Sequence, residues 1–290
     1  MRQPFLHLLF ISMSLLFVVP FLLIVSVSLS DDQDIADFGY RLIPARIDVS
    51  AYTWVFRDLS TVLRAYGVTA FQAVAGTALG VLAMALAGYV LSRTDYAWRR
   101  IVVFIVFFTM VFSGGLVPTY IIVTRWYHLG NTLWVYIFPV LVNAFFVIIM
   151  RTFFAQLPEE VFESARIDGA REITICLRIA LPLSTPALAA IAFLFFQGRW
   201  DEWYNTLLYI RDKELYTLQY LLQRILLEFD YVREIAAQSP EMEFYLQTEE
   251  MPLESMRYAM AIVAAGPILL IFPFFQRYFV RGLTVGSLKG

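Results

Sequence analysis

Six long apolar stretches limit what this chain can become. Crossing a hydrocarbon core takes about 20 mostly apolar residues of helix, and stretches of that kind run at roughly 5–29, 66–91, 101–123, 132–150, 183–207 and 257–280. Each is expected to be helical, because a helix satisfies its own backbone hydrogen bonds where no water is at hand. Of the 290 residues 60% are hydrophobic and only 16% charged, so the bilayer is the main solvent. The first stretch, Phe5 to Ser28, follows Arg2 and ends in small residues, yet it exceeds the apolar core of about 7 to 15 residues in a cleaved signal. It reads as an uncleaved first span. The expected fold is an all-α polytopic membrane protein, with 1–290 as a single transmembrane domain.

Orientation follows from the basic residues, which stay preferentially in cytoplasmic loops. With the N-terminus inside, the inner side carries Arg2, Arg93, Arg99, Arg100, Arg151, Arg166, Arg171, Arg178, Arg277, Arg281 and Lys289. These eleven face six acids (Asp95, Glu159, Glu160, Glu163, Asp168, Glu172), for a net +5. The remaining eleven basic residues face eighteen acids outside, for −7, and the chain total of −2 hides this asymmetry. The topology is N-in and C-in, with external segments at about 30–65, 124–131 and 208–256.

Several chemistries drop out. The single Cys176 excludes an internal disulfide or a cysteine-rich metal site, and His7 and His128 fall on opposite sides of the membrane. The only lysines are Lys213 and Lys289, and neither sits in a Gly-x-x-x-x-Gly-Lys-Ser/Thr loop that cradles phosphates. No cofactor is expected in this chain. If transport is ATP-driven, ATP and its Mg lie on a partner.

Residues 153–182 form the chain's polar hairpin between the fourth and fifth stretches. Pro158 suits a helix start, and Glu159 and Glu160 favour its positive end. Val161, Phe162 and Ala165 make an apolar stripe beside Glu163 and Arg166. Gly169 after Asp168 fits a left-handed helix stop. A second helical pattern follows from Ala170, with Ile173, Leu177 and Ala180 on one side, until Leu181-Pro182 marks a bend. Read from physics alone, this is a short helix, a turn and a second helix at the cytoplasmic surface, and an interfacial linker satisfies the same pattern.

The whole pattern is more specific. Glu163-Ser164-Ala165, three residues, Gly169, nine residues, then Ile179 and Leu181-Pro182 resembles the coupling motif of ABC-importer permeases, and Asp168-Gly169-Ala170 resembles its carbohydrate-importer version. Ser164 departs from the usual alanine, a small-for-small change. Ser113 to Tyr120, Ile149 to Phe154, and Pro273 to Gly282 running on to Gly286–Gly290 look like the permeases that handle complex oligosaccharides. The resemblance spans nearly the whole chain. It implies a type I importer permease of six spans in a bacterial cytoplasmic (inner) membrane, paired with a homologous second permease, driven by two ATPase subunits and fed by an extracytoplasmic solute-binding protein. On this resemblance the first hairpin helix sits in a groove on the ATPase, packing its apolar face there with Glu163 near polar or basic groups. Closure of the ATPase pair then moves the hairpin as a lever.

Within the spans, Ala73, Gly76, Gly80, Ala83 and Ala87 recur at steps of three and four, a stripe suited to close helix packing. Gly114, Gly115 and Pro118 interrupt the third span. Broken backbone at membrane depth belongs beside a cavity or under protein cover, which brings Ser113 to Tyr120 near a pathway, and a plain bend of the helix satisfies the same residues. Gln197 to Asn205 is a second candidate: Trp200 lies about 25 Å along the fifth span at about 1.5 Å per residue. There Trp200, Trp203, Asp201, Glu202 and Asn205 offer apolar faces and hydroxyl-bonding groups to a sugar. An interfacial aromatic belt with an Arg199 to Asp201 or Glu202 ion pair satisfies the same residues. Outside, Leu218, Leu221, Leu222, Ile225 and Leu226 give an amphipathic helix, with an acidic approach to the last span at Glu241, Glu243, Glu249, Glu250 and Glu254. That helix suits packing on the permease pair or the membrane surface, and the resemblance implies that it, or Arg41, Arg46, Tyr52 and Trp54, offers a dock for the binding protein. Pro267 and Pro273 are expected to disturb the last span, which Arg277 and Arg281 anchor inside.

The function that follows is a permease subunit of an ATP-driven oligosaccharide importer, alginate-type saccharides among its candidate cargoes, although the external −7 gives no support for an anionic one. A self-sufficient carrier or channel is the alternative. Such a carrier more often shows an internal repeat and ionisable groups at the midplane, neither of which is seen. An intramembrane enzyme lacks a catalytic set.

Overall fold

The computed structural model describes residues 2–236 and 252–286, and among these the regular elements are all helices, with one isolated bridge between Ser30 and Ile47. The expected Glu241, Glu243, Glu249 and Glu250, the Arg277 and Arg281 side chains and the 287–290 tail lie outside the described residues.

The described chain divides into two compact units. The first, 1–63 with 221–267, holds α1 (Arg2–Ser28), α2 (Asp32–Phe38), α3 (Ser50–Val55), the start of α4 (Leu59–Ser92), most of α13 (Leu218–Ala236) and the first half of α14 (Leu253–Gly286). Helix α1 is apolar on every side, and none of its core window is buried, a surface that only lipid or another apolar body can cover. Acidic side chains organise the polar end of this unit. The Asp32 carboxylate accepts from Glu254 N at 2.8 Å, Ser255 N at 2.9 Å and Ser255 Oγ at 2.6 Å, so it caps α14 from far along the chain. Asp58 accepts from Ser60 and Thr61 at the start of α4, and these hydrogen bonds, Thr61's first, hold its carboxyl down at about 2.

The second unit, 64–220 with 268–290, contains most of α4, then α5 (Arg99–Val111), α6 (Leu116–Ile121), α7 (Ala144–Ala155), α8 (Glu159–Ile167), α9 (Glu172–Ile175), α10 (Leu181–Leu183), α11 (Thr185–Trp200) and α12 (Tyr204–Tyr209). One apolar cluster gathers Met84, Tyr89, Met150, Phe154, Phe162 and Ile175 from α4, α7, α8 and α9. Another joins Val68, Val123, Val135, Tyr136, Tyr209 and Tyr216.

Among the described residues three helices are long and apolar enough to cross a membrane, and counting each of two bent pairs as one span raises the number to five. The expected interruption of the third span is present: α5 and the helix beginning at Leu116 meet at 112° around Gly114 and Gly115, the latter at φ +88°. The expected fourth helix over 132–150 is not formed as one piece. A single 3-10 turn, Leu133–Tyr136, is followed by non-helical chain, and α7 begins only at Ala144. Pro139 cannot donate to a helix and disfavours helical backbone before it. Asn143 Oδ1 then accepts from Phe145 N at 3.0 Å and Phe146 N at 3.4 Å, which starts α7 late. The fifth span likewise stops at Trp200, with α12 a separate piece.

Candidate functional site

The hairpin expected at 153–182 is built as helix, turn and helix. Helix α8 ends at a Gly169 with φ +79°, where Ala170 N bonds back to Ala165 O at 2.9 Å and Gly169 N to Arg166 O at 3.0 Å. That is the paired closure of a left-handed helix stop, and only glycine enters it without a side-chain penalty. The two arms are then tied across the turn by Arg166, whose Nε reaches Glu172 at 2.8 Å while its Nη1 reaches Glu159 on its own helix at 3.3 Å. Burial pushes the Glu172 carboxyl up, but the hydrogen bonds from Arg166 and Tyr89 outweigh it and leave it below the ordinary carboxylate range. The contact with Glu172 also raises Arg166.

The hairpin is fastened to the end of α4. Tyr89 Oη donates to Glu172 at 2.8 Å, Arg93 pairs with Glu159, and the Arg93 guanidinium lies 4.5 Å from the centre of the Phe162 ring. Phe162 is wholly buried between Tyr89 and its neighbours. The apolar stripe expected on α8 thus exists, but Phe162 and Ala165 pack on this chain and are not open to a groove on a partner. What α8 presents outward is Glu163, Ser164, Ile167 (85% exposed), Asp168 and Gly169. Ser164 Oγ bonds to Val161 O at 3.1 Å, so serine is accommodated where alanine is usual.

The second arm corrects one expectation. Ile175, Cys176 and Ala180 form its buried face, whereas Ile173 and Leu177 are exposed, at 54% and 46%. Residues Cys176–Ala180 wind as a π-turn, which adds a residue to the turn and shifts the face that a 3.6-residue period assigns. Ile179 and Leu181 are half-buried against the same cluster, Ala170 beside them, and Pro182 is exposed. The break falls just after Leu181-Pro182, at Ser184, where the chain bends 81° into α11.

The residues expected along a pathway separate into two groups. Trp200 is 3% exposed, stacked on Phe196 with centroids 6.0 Å apart and tilted on Tyr66 at 6.4 Å, so it is a packing residue. Glu202 accepts from Asn205 N at 2.7 Å and Asn205 Nδ2 at 2.8 Å, which starts α12 and uses both side chains. Asp201 and Trp203 are exposed, Asp201 in reach of Gln219 at 3.4 Å. Tyr120 does not join them. It stacks on Tyr209 at 5.6 Å beyond the exposed Gly114–Gly115 break.

Arg199 makes no ion pair with Asp201 or Glu202. Its guanidinium is buried and donates to Tyr136 O at 2.8 Å and Val140 O at 3.0 Å, two carbonyls of the broken fourth segment, while Phe195 lies beneath it at 4.5 Å. Carbonyls outside a continuous helical ladder need a donor from elsewhere in the protein, and Arg199 supplies it here. Gln72 donates its side-chain amide to the Arg199 carbonyl. The small-residue stripe on α4 belongs to the same arrangement. A Cβ at Gly76 would overlap the Arg199 guanidinium, and one at Gly80 would overlap the Phe195 ring and come within 2.7 Å of Leu141 O. The stripe therefore serves packing, against side chains of α11 and backbone of the broken segment. Arg199 was visible in the sequence only as a charge at the end of a span. Its signal is the pair of nearby features it needs, a proline-broken span and a glycine on the facing helix.

The proposed docks are engaged within the first unit. Arg46 reaches Asp34 at 2.9 Å, Tyr52 Oη bonds Ser28 Oγ at 2.8 Å, Arg41 lies over Phe38 at 4.5 Å and Trp54 meets Phe229 at 6.5 Å. On α13 the expected apolar face is the buried one, led by Leu218, Leu221 and Leu222.

Comparison with known proteins bears on these elements together. The family described as "Binding-protein-dependent transport system inner membrane component" matches residues 76–285, which include the hairpin, the Arg199 cluster and the last span. Protein LplC of Bacillus subtilis (strain 168) is 35% identical over 273 residues, covering 94% of this chain and 90% of that one. The polygalacturonan/rhamnogalacturonan transport system permease protein YtcP of the same organism is 32% identical, covering 96% and 94%. Among solved structures, a bacterial ABC transporter involved in the import of the acidic polysaccharide alginate has a chain that superposes with a TM-score of 0.80 at 27% identity, over 94% of both chains. A match of this length, laid over a helical chain with no nucleotide loop of its own, makes this protein a member of the binding-protein-dependent transport system inner membrane components: a non-catalytic, multi-pass permease that works with an ATPase and a binding protein.

Proposed function

We propose that this chain is one of two homologous permeases of a type I ABC importer for an oligosaccharide, and that residues 153–182 are the lever on which two ATPase subunits act. The reading keeps six crossings, N-in and C-in, with the broken third and fourth segments each counted as one. The observation that carries it is the two-sided build of the hairpin. Phe162, Ala165, Ile175 and Ala180 fix it to its own chain, while Glu163, Ser164, Ile167, Asp168, Ile173 and Leu177 are left outward. A rigid element with a free mixed face transmits a push, and a simple linker needs neither the Gly169 closure nor the Arg166 ties.

Cargo rests on the relatives. One similar permease belongs to a polygalacturonan/rhamnogalacturonan system, another to an arabinooligosaccharide system, and the similar solved structure to alginate import. We take an oligosaccharide cut from a uronate-rich polymer as the cargo, with the exposed Asp201 and Trp203 as one stretch of pathway surface and the Tyr120–Tyr209 pair as a separate one. The buried Trp200 and the mutually bonded Glu202 and Asn205 shape that surface from behind, and Gly114 and Gly115 let the chain turn beside it.

Cross-linking tests the hairpin. Ile167→Cys in a Cys176→Ala background should cross-link to the co-expressed ATPase, with nucleotide changing the yield. A cross-link to lipid-soluble reagents but not to the ATPase would return the hairpin to a membrane-surface linker. Mass spectrometry of solute retained by the cognate binding protein tests the cargo: neutral monosaccharides there would overturn the uronate reading.

A further inference from the structure

Two open cavities meet at Tyr96 on the second unit, and their linings are of opposite character. One, about 780 Å³, is polar and carries three arginines, Arg99, Arg100 and Arg151. The other, about 500 Å³, is lined by Leu86, Val90, Val102, Val106, Val142 and their apolar neighbours, with Tyr96 common to both. They run continuously along α4, α5 and α7, since Val102 and Val106 follow Arg99 on one helix and Val147 precedes Arg151 on another. Among the described residues none of the three arginines is paired with a carboxylate, and Asp95, the acid of that loop, is not part of the lining. Arg99 and Arg100 also occupy the first turn of α5, where positive charge is locally unfavourable. Arg151 uses one nitrogen on Leu91 O at 3.1 Å and keeps its others.

We propose that this double cavity is a binding site for one anionic phospholipid, its phosphate held by Arg99, Arg100 and Arg151 and an acyl chain lying in the apolar half. Guanidinium groups bind phosphate oxygens in pairs, and a basic pocket between membrane helices at the cytoplasmic side suits an acidic head group. A free phosphate would leave the apolar half empty, and an uncharged lipid would leave three cations uncompensated. Placement in the cytoplasmic leaflet rests on the N-in topology proposed above; the lipid seat itself does not.

Native mass spectrometry of the intact importer, purified with equal phosphatidylglycerol and phosphatidylcholine, tests the site. The wild-type complex should retain phosphatidylglycerol selectively, and the double variant Arg99→Gln, Arg100→Gln should lower that selectivity by about thirty-fold. Ala87→Phe, which fills the apolar half with the arginines intact, should weaken retention as well, and millimolar inorganic phosphate should not displace the lipid. Equal retention of both lipids by the wild type, or unchanged selectivity in both variants, would overturn the proposal; displacement by phosphate would reduce the site to a phosphate pocket. Labelling of a Thr94→Cys variant from outside the cell would overturn only the leaflet.

Discussion

At the scale of single residues, the most informative position is Gly76, because what forbids a side chain there is a buried cation. Arg199 satisfies two carbonyls that the proline-broken segment cannot satisfy itself, and it needs the space that Gly76 leaves. A buried polar group left without its partner costs about 1–3 kcal/mol. Arg199→Met strands two carbonyls but relieves a buried charge, so a net loss of about 2 kcal/mol is expected. Gly76→Ala should cost about 1–3 kcal/mol by forcing the guanidinium aside. Because both act on one contact, they should not add: Gly76→Ala in the Arg199→Met background should cost little, a coupling of about 1 kcal/mol or more. Denaturant unfolding of the four proteins in detergent checks this. Strict additivity would remove the link between the stripe on α4 and the cation on α11.

At the scale of elements, the hairpin is an ionic clasp over an apolar anchor. Glu172 has its folded-state pKa lowered, so its contribution is complete above the unfolded value, about 4.3, and is lost as pH falls through the lower folded value. A spin label at Asp168→Cys, in the Cys176→Ala background, should stay restrained at neutral pH and gain mobility below about pH 4. Glu172→Gln should shift the label towards that mobile state already at pH 7. Phe162→Ala, which removes the anchor, should loosen it at every pH, at a cost of about 3–5 kcal/mol. The elements also mark where sequence reading succeeds. Helices α1, α4 and α14 are legible because length and apolarity alone specify a span, and the Gly169 stop is legible because few residues accept a positive φ. The third-span break was announced by Gly114-Gly115. The fourth was not, because a hydropathy reading takes the run around Pro139 as apolar and ignores its missing donor. The parting of buried Ala180 from exposed Ile173 and Leu177 was hidden by a π-turn, which periodicity does not foresee. Arg199 was misread for a related reason: its partners are backbone carbonyls, and carbonyls have no sequence.

At the scale of the whole molecule, the membership of the chain in its permease family states what it does, and the proposed lever at 153–182 is an account of how it is driven. In the proposed N-in topology the basic loops, the hairpin and the proposed lipid seat share one side, at +5 against −7 on the other. The chain lacks a phosphate-cradling loop, so the energy of ATP has to enter through a contact surface. In the proposed account that surface is the exposed set Glu163, Ser164, Ile167, Asp168 and Gly169. Glu163 has no partner among the described residues, and substitution at such an exposed position changes folding by about 0.5 kcal/mol or less. It therefore isolates docking from stability. The most direct test is solute uptake per ATP hydrolysed, measured in proteoliposomes holding the complete importer with Glu163→Arg, alongside Gly169→Asp. Both variants should insert at wild-type levels while uptake per ATP falls about tenfold or more, since a reversed charge across a docked interface costs several kcal/mol. Wild-type uptake per ATP in both would contradict the assignment of the hairpin as the point where hydrolysis drives transport.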